Sequence, residues 1–129
     1  MKLMKIYEDL YMRKNMPQVD EEDFDHAFNV LMDNEIGVRK DKMTVVDMKS
    51  SQKDINNEKK KEIAKSIGSN HLSTITPIIV SLDNYIVDGH HRKFAIEFLK
   101  RQNERVPVFR IMMKRDEAIA AYKEIEEQL

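Results

Sequence analysis

The chain has no cysteine and no tryptophan, and only three glycines and three prolines among its 129 residues. Without cysteine there is no disulfide, no thiolate metal site and no cysteine nucleophile, which fits a reducing compartment. So few glycines and prolines leave little room for a flexible linker, and no low-complexity tract or internal repeat is visible. No stretch approaches the ~18 consecutive apolar residues of a membrane span. Nor does an apolar signal-peptide run follow Lys2 and Lys5, where Tyr7, Glu8 and Asp9 stand instead. The expectation is a cytoplasmic protein with no membrane partner. An excess of one charge is also missing, since 22 Lys and Arg oppose 23 Asp and Glu, a formal net charge of -1. A free-standing nucleic-acid domain is usually basic and offers aromatic rings on which bases stack. Here aromatics make up 7% and fall mostly at core-like positions, so nucleic acid is a disfavoured partner.

What is present is the composition of a folded domain. Hydrophobic residues reach 41%, enough to bury a core at this length without disulfides or metals. Residues 1–15 read as a helix, with Leu3, Ile6, Tyr7, Leu10 and Tyr11 near one face. Met16-Pro17 breaks it, because proline disfavours the helical conformation in the residue before it. A second helix starts near Asp20, where the acidic run Asp20, Glu21, Glu22, Asp23 complements the helix dipole. Its apolar stripe is Phe24, Ala27, Phe28, Leu31 and Met32, and Asn34 and Gly37 end it. These two helices form an expected N-terminal hairpin over residues 1–38, whose methionine-rich faces suit a partner or a homodimer contact.

Residues 39–129 read as an α+β domain. Strands are expected at 43–48, 78–80, 85–87 and 106–112, with Asp83-Asn84 as a hairpin turn between the middle two. Helices are expected at 57–66, 90–101 and 115–128, the first capped by Asn56 or Asn57 and by Gly68. Ala118, Ile119, Tyr122 and Ile125 are the inward residues of the last.

The strongest local signal is the passage Val87-Asp88-Gly89-His90-His91-Arg92, where a strand ends, a glycine permits a sharp turn and a helix begins. The first turn of a helix leaves N–H groups without intrahelical partners, and with the dipole they form an anion site. Gly89 lets a ligand oxygen approach the backbone. Arg92 adds a planar fork of donors matched to phosphate. On a helical wheel His91 shares a face with Phe94, Ala95 and Phe98 and is expected to be partly buried, a structural residue with its imidazole fixed by a local hydrogen bond. His90, at the edge of that face, is the expected ligand contact. No metal cluster is expected. Adjacent helical histidines diverge by about 100°, His26 and His71 are remote, and no zinc-ligand spacing occurs. Magnesium accompanying a phosphate is the one metal the pattern suits, with Asp88 as its carboxylate.

These residues resemble the ParB/sulfiredoxin-like superfamily: the ParB N-terminal ("ParB-like nuclease") domain, the sulfiredoxins and the free-serine kinases. The resemblance covers roughly residues 42–113 and runs from Gln52 in a polar loop, through the helix containing Ala64-Lys65-Ser66-Ile67, to Pro77-Ile78-Ile79-Val80, the Asp-Gly-His-His-Arg turn and Val106-Pro107-Val108. It implies a small mixed sheet with packed helices and a nucleotide ligand: CTP for ParB, ATP for sulfiredoxin, ADP for the kinases. It further implies phosphate contacts from Gly89, His90, His91 and Arg92, joined by Gln52, Lys59 and Ser66. The chain departs from each branch. Sulfiredoxin chemistry needs a cysteine where His90 stands, and ParB has Gly-Glu-Arg-Arg at this turn. The turn is closest to the serine kinases, but the loop near Ser50-Ser51-Gln52 lacks their glutamate. That leaves Asp54, Glu58 and Asp88 as candidate catalytic carboxylates for an NTPase or a small-molecule phosphotransferase with a small-molecule acceptor. The size and the added hairpin suit a phage or mobile-element protein by the same resemblance. Three readings stay open: a nucleotide-dependent enzyme, a ParB-like DNA-binding or nuclease protein, and a non-catalytic binding or assembly module.

Overall fold

The computed structural model describes residues 16–52 and 54–129. The first helix of the expected hairpin lies outside them. A short 3-10 turn, Glu21–Asp23, leads into α1, Phe24–Asp33. There follow β1 (Val38–Thr44), α2 (Asn57–Ile67), β2 (Ile78–Ser81), β3 (Ile86–Asp88), α3 (His90–Phe98), β4 (Arg105–Ile111) and α4 (Arg115–Gln128). The four strands form one mixed sheet in the order β1-β4-β2-β3. β1 runs antiparallel to β4, from Val38 opposite Ile111 to Thr44 opposite Arg105. β4 runs parallel to β2, and β2 and β3 form an antiparallel hairpin. Asn84 closes that hairpin at φ +71, the left-handed conformation the expected turn requires. The class is α+β, as the sequence implies.

Alternation along the strands splits the core into two clusters, one per face. Ile79, Val87, Ile111 and partly buried Phe109 face α1 and α4. Ile78, Val80, Ile86, Val106 and Val108 face α2 and α3. The inward residues expected for the last helix, Ala118, Ile119, Tyr122 and Ile125, are all buried. So is the α1 stripe, with Phe24 and Phe28 packed around Phe109 at ring-centroid distances of 6.1 and 4.5 Å. Met32, expected in that stripe, is exposed. No helix among the described residues is long and apolar enough to cross a membrane.

Two expected elements need correction. The strand expected at 43–48 is β1 at Val38–Thr44, and Val45–Asp47 is a 3-10 turn that buries Val45 and brings Met48 into the core. The apolar run marked burial, not pairing. β1 is an edge strand, and its Arg39, Lys40, Asp41 and Lys42 are the charged residues that keep an edge from pairing further. The helix expected to reach 101 ends at Phe98. Lys100 turns left-handed at φ +58, and the Arg101 N–H donates back to the Ile96 carbonyl at 3.0 Å. Phe98, placed on the inward face by the wheel, is 55% exposed beneath the Lys60 ammonium. The buried face of α3 is instead His90, His91, Lys93, Ala95 and Ile96.

Candidate functional site

β3 ends at Asp88 and α3 begins at His90, leaving Gly89 as the cap at φ +106. That conformation strains any residue with a side chain. A Cβ there would also lie 2.8 Å from Arg92 Nη2, because the guanidinium folds back over the turn. Having no side chain, Gly89 leaves the first-turn amides of α3 without a capping acceptor of its own.

Around this turn is a cleft of ≈ 240 Å³. Asp88, Gly89, His90, His91 and Arg92 line one side, Gln52 and Lys59 another. Two segments distant in sequence therefore converge: the turn, and the loop before α2 together with the first turn of that helix. Asn56 caps that helix as expected, its side chain accepting from the Lys59 N–H at 3.0 Å.

The structure separates the remaining expected residues. Ser66 is exposed and lines a neighbouring cleft of ≈ 380 Å³ with Ile67, Asn70, Thr74 and Ile75. Ile63, Thr76 and Arg92 are common to both clefts. Lys59 and Ser66 share a helical face but stand two turns, ~11 Å, apart along the axis, and each lines a different one of the two adjoining clefts. Asp54 and Glu58 are exposed and do not line the cleft around the turn.

The side chains of the turn are largely engaged. His90 is 3% exposed, and its Nε2 accepts the Ser51 N–H at 3.1 Å. His91 Nε2 accepts the Asn56 N–H at 2.9 Å. Burial, reinforced by His91 and Lys93, lowers the His90 pKa to about 3. His90 is therefore a buried acceptor where the sequence suggested a ligand contact. Arg92 Nη2 donates to the Pro77 carbonyl at 2.9 Å, while its buried Nε has no partner among the described residues. Asp88 Oδ2 accepts the Val19 N–H at 2.9 Å. Burial pushes its carboxyl up to about 6, against the opposing effects of the Val19 bond and Arg92. Tyr122, whose buried hydroxyl has no partner among the described residues, is also pushed upward by burial and by Asp88.

Sequence reasoning missed a strap. Residues 17–21 form part of the cleft wall, and Pro17, Gln18, Val19, Asp20 and Glu21 all line it. The strap is fixed at three points: Val19 N–H to Asp88, Gln18 N–H to Glu126 Oε2 at 2.5 Å, and Thr76 Oγ1 to Glu21 Oε2 at 2.9 Å. The one signal was the pair of apolar residues Met16 and Val19 around a proline, both buried in the core with α1 and α4. Asp20, Glu22 and Asp23 bring carboxylate oxygens within 4.8 Å of one another. They lie at the surface, where such acidic groups are common.

No family model and no curated protein matches the chain. Solved structures do. It is similar to a Pnob8-like ParB-N domain in a C2221 crystal form, with a TM-score of 0.56 and 15% identity over 72% of this chain and 37% of that one. A second pNOB8-like ParB N-domain structure matches with a TM-score of 0.55 and 15% identity, over 72% of this chain and 34% of that one. The chain thus has the fold of a ParB N-domain and spans about a third of the length of those solved chains.

Proposed function

We propose that the protein binds a nucleotide through its phosphates in the cleft at the start of α3. The supporting observation is convergence. Gly89 and the first-turn amides of α3, the Arg92 guanidinium and Lys59 from α2 all reach one cleft, and each is a group that recognises phosphate. ATP, ADP and CTP all carry the required oxygens. Magnesium accompanying the phosphates would draw on Asp88, Asp20 and Glu21, which line the same cleft and carry the kind of oxygen this ion takes. Bound there, it would neutralise phosphate charge that these carboxylates otherwise repel.

The proposal concerns binding. Of the three candidate catalytic carboxylates only Asp88 lines the cleft, and it already accepts the Val19 N–H. An NTPase or phosphotransferase step with Asp88 as base would use its other oxygen or require the strap to release Oδ2.

A thermal-shift panel of ATP, ADP, CTP, GTP and pyrophosphate, with and without magnesium, tests the reading. A ligand at 100 times its dissociation constant adds about 2.7 kcal/mol, which moves the midpoint of a domain this size by several degrees. Among the described residues half-buried Lys59 makes no ion pair or side-chain hydrogen bond, so Lys59→Ala should fold normally and lose most of the shift. If no compound on the panel shifts the wild type, nucleotide binding is wrong.

A second reading is a ParB-like DNA-binding or nuclease protein. What favours it is the likeness to ParB N-domains, together with the exposed or half-buried lysines Lys59, Lys60, Lys61 and Lys65 on α2. Salt-dependent retardation of duplex DNA would support it, and its absence at low salt would remove it.

A further inference from the structure

We infer that His90 and His91 are positioning residues, which as neutral imidazoles hold the 51–56 loop in place and thereby set Gln52 and Lys59 against the cleft. The inference rests on the phosphate reading of that cleft and assigns the pair a role other than ligand contact.

Both histidine bonds run in the same sense: a loop amide donates and Nε2 accepts. Adjacent residues on a helix point about 100° apart, so the pair is poorly placed to grip one ligand and well placed to grip two points on a loop. Those points are Ser51 and Asn56, at the two ends of the segment. Each end continues into a cleft residue. Ser51 precedes Gln52, which lines the cleft. Asn56 caps α2, and its side chain accepts the Lys59 N–H at 3.0 Å. A path of two hydrogen bonds therefore runs from the His91 ring through Asn56 to the backbone of Lys59.

The loop needs such partners. Ser51 is fully buried, and neither Ser51 nor Asn56 belongs to a strand or helix. A buried amide outside regular structure must find its acceptor elsewhere. An imidazole nitrogen accepts only when it carries no proton, so the proton of each neutral ring sits on Nδ1. Protonation of Nε2 would turn the acceptor into a donor facing another donor. Burial acts against that at His90, holding its pKa near 3. The charged and titratable groups around the pair come from every neighbouring element: Arg92 and Lys93 on α3, Asp88 at the end of β3, Lys59 on α2, and Asp20 and Glu21 on the strap.

The test combines nitrogen-15 NMR of the two rings, amide hydrogen exchange at Ser51 and Asn56, and calorimetry with inorganic pyrophosphate. In the wild type at neutral pH, both Nε2 atoms should report as unprotonated acceptors and both amides as protected. His91→Ala should speed exchange at Asn56 and weaken pyrophosphate by about tenfold, the effect of losing one modest hydrogen bond. His91→Gln puts a side-chain carbonyl near the Nε2 position and should restore both readouts. Protonated Nε2 atoms in the wild type would overturn the inference. So would His91→Ala weakening pyrophosphate while Asn56 exchange stays unchanged, which would make the ring a ligand contact. A glutamine variant no better than alanine in both readouts counts against it as well. If wild-type protein does not bind pyrophosphate, the phosphate reading fails separately. The ring and amide measurements then decide whether the histidines hold the loop.

Discussion

Two segments grip the same turn from opposite sides, by opposite chemistry. The 51–56 loop donates its amides to the neutral rings of His90 and His91. The 17–21 strap donates the Val19 amide to the carboxylate of Asp88. Both rings and the carboxylate are buried, and burial penalises whichever form is charged. It therefore moves the two groups in opposite directions, His90 down to about 3 and Asp88 up to about 6. The unfolded chain binds the extra proton at His90 between about 3 and the usual 6.5, so that side stabilises the fold increasingly as pH rises through this window. At Asp88 the folded chain binds the extra proton between the usual 3.8 and about 6, so that side destabilises the fold as pH rises. One turn thus carries two linkages of opposite sign that overlap between pH 4 and 6.

The largest break strikes the base shared by both grips. Gly89→Ala imposes a strained φ and drives a Cβ to 2.8 Å from Arg92 Nη2. It should cost about 2–4 kcal/mol in urea unfolding, and amide protection should fall at Val19 and Ser51 together. Loss at only one of the two would show that the grips do not share the turn.

Next is the pH contrast itself. In the wild type the two slopes, each about 1.4 kcal/mol per pH unit for one proton, should nearly cancel, leaving stability flat between pH 4 and 6. Asp88→Asn keeps an acceptor for Val19 and removes the carboxyl, so stability should then climb with pH by about 2–3 kcal/mol across that range. His90→Gln should do the reverse and leave stability falling as pH rises. Denaturant midpoints measured at several pH values check all three, and a wild-type profile as steep as either variant would refute the compensation.

A smaller effect isolates the strap. Val19→Pro removes one N–H and leaves a buried carboxylate oxygen without its donor, at a cost of about 1–3 kcal/mol. Because the Val19 bond lowers the Asp88 pKa, an NMR titration should find that carboxyl raised further, while the Ser51 and Asn56 amides keep their protection.

Glu21→Gln should move stability least, within about 0.5 kcal/mol, as expected of an exposed surface substitution. It removes one negative charge from the cleft wall, so pyrophosphate affinity should rise. Glu22→Gln, which lies outside the cleft lining, serves as the control for overall charge.

The Asp88–Arg92 turn, the Asn56 cap and the inward face of α4 were legible because each is written within a few consecutive residues. A strand running into glycine, an asparagine before a helix and a three-to-four spacing of apolar residues all act locally. β1 was misplaced because an edge strand buries few side chains, and its charged residues carry no apolar alternation. The strap was invisible because its anchoring bond joins residues 69 positions apart. The roles of His90 and His91 were hidden for the same reason, since their partners lie 39 and 35 positions away.

By itself the sequence determined the α+β class and the glycine turn that starts α3, with the residue types around it. These follow from backbone freedom, periodicity and side-chain chemistry, which are properties of neighbouring residues. Tertiary structure alone decided which groups meet. It placed Lys59 in the cleft and Ser66 in the next one, engaged both histidines with a loop, and set an acidic strap in the cleft wall. A helical wheel fixes the direction of a side chain about its own axis. What that side chain touches depends on how separate elements pack, and no local pattern encodes that.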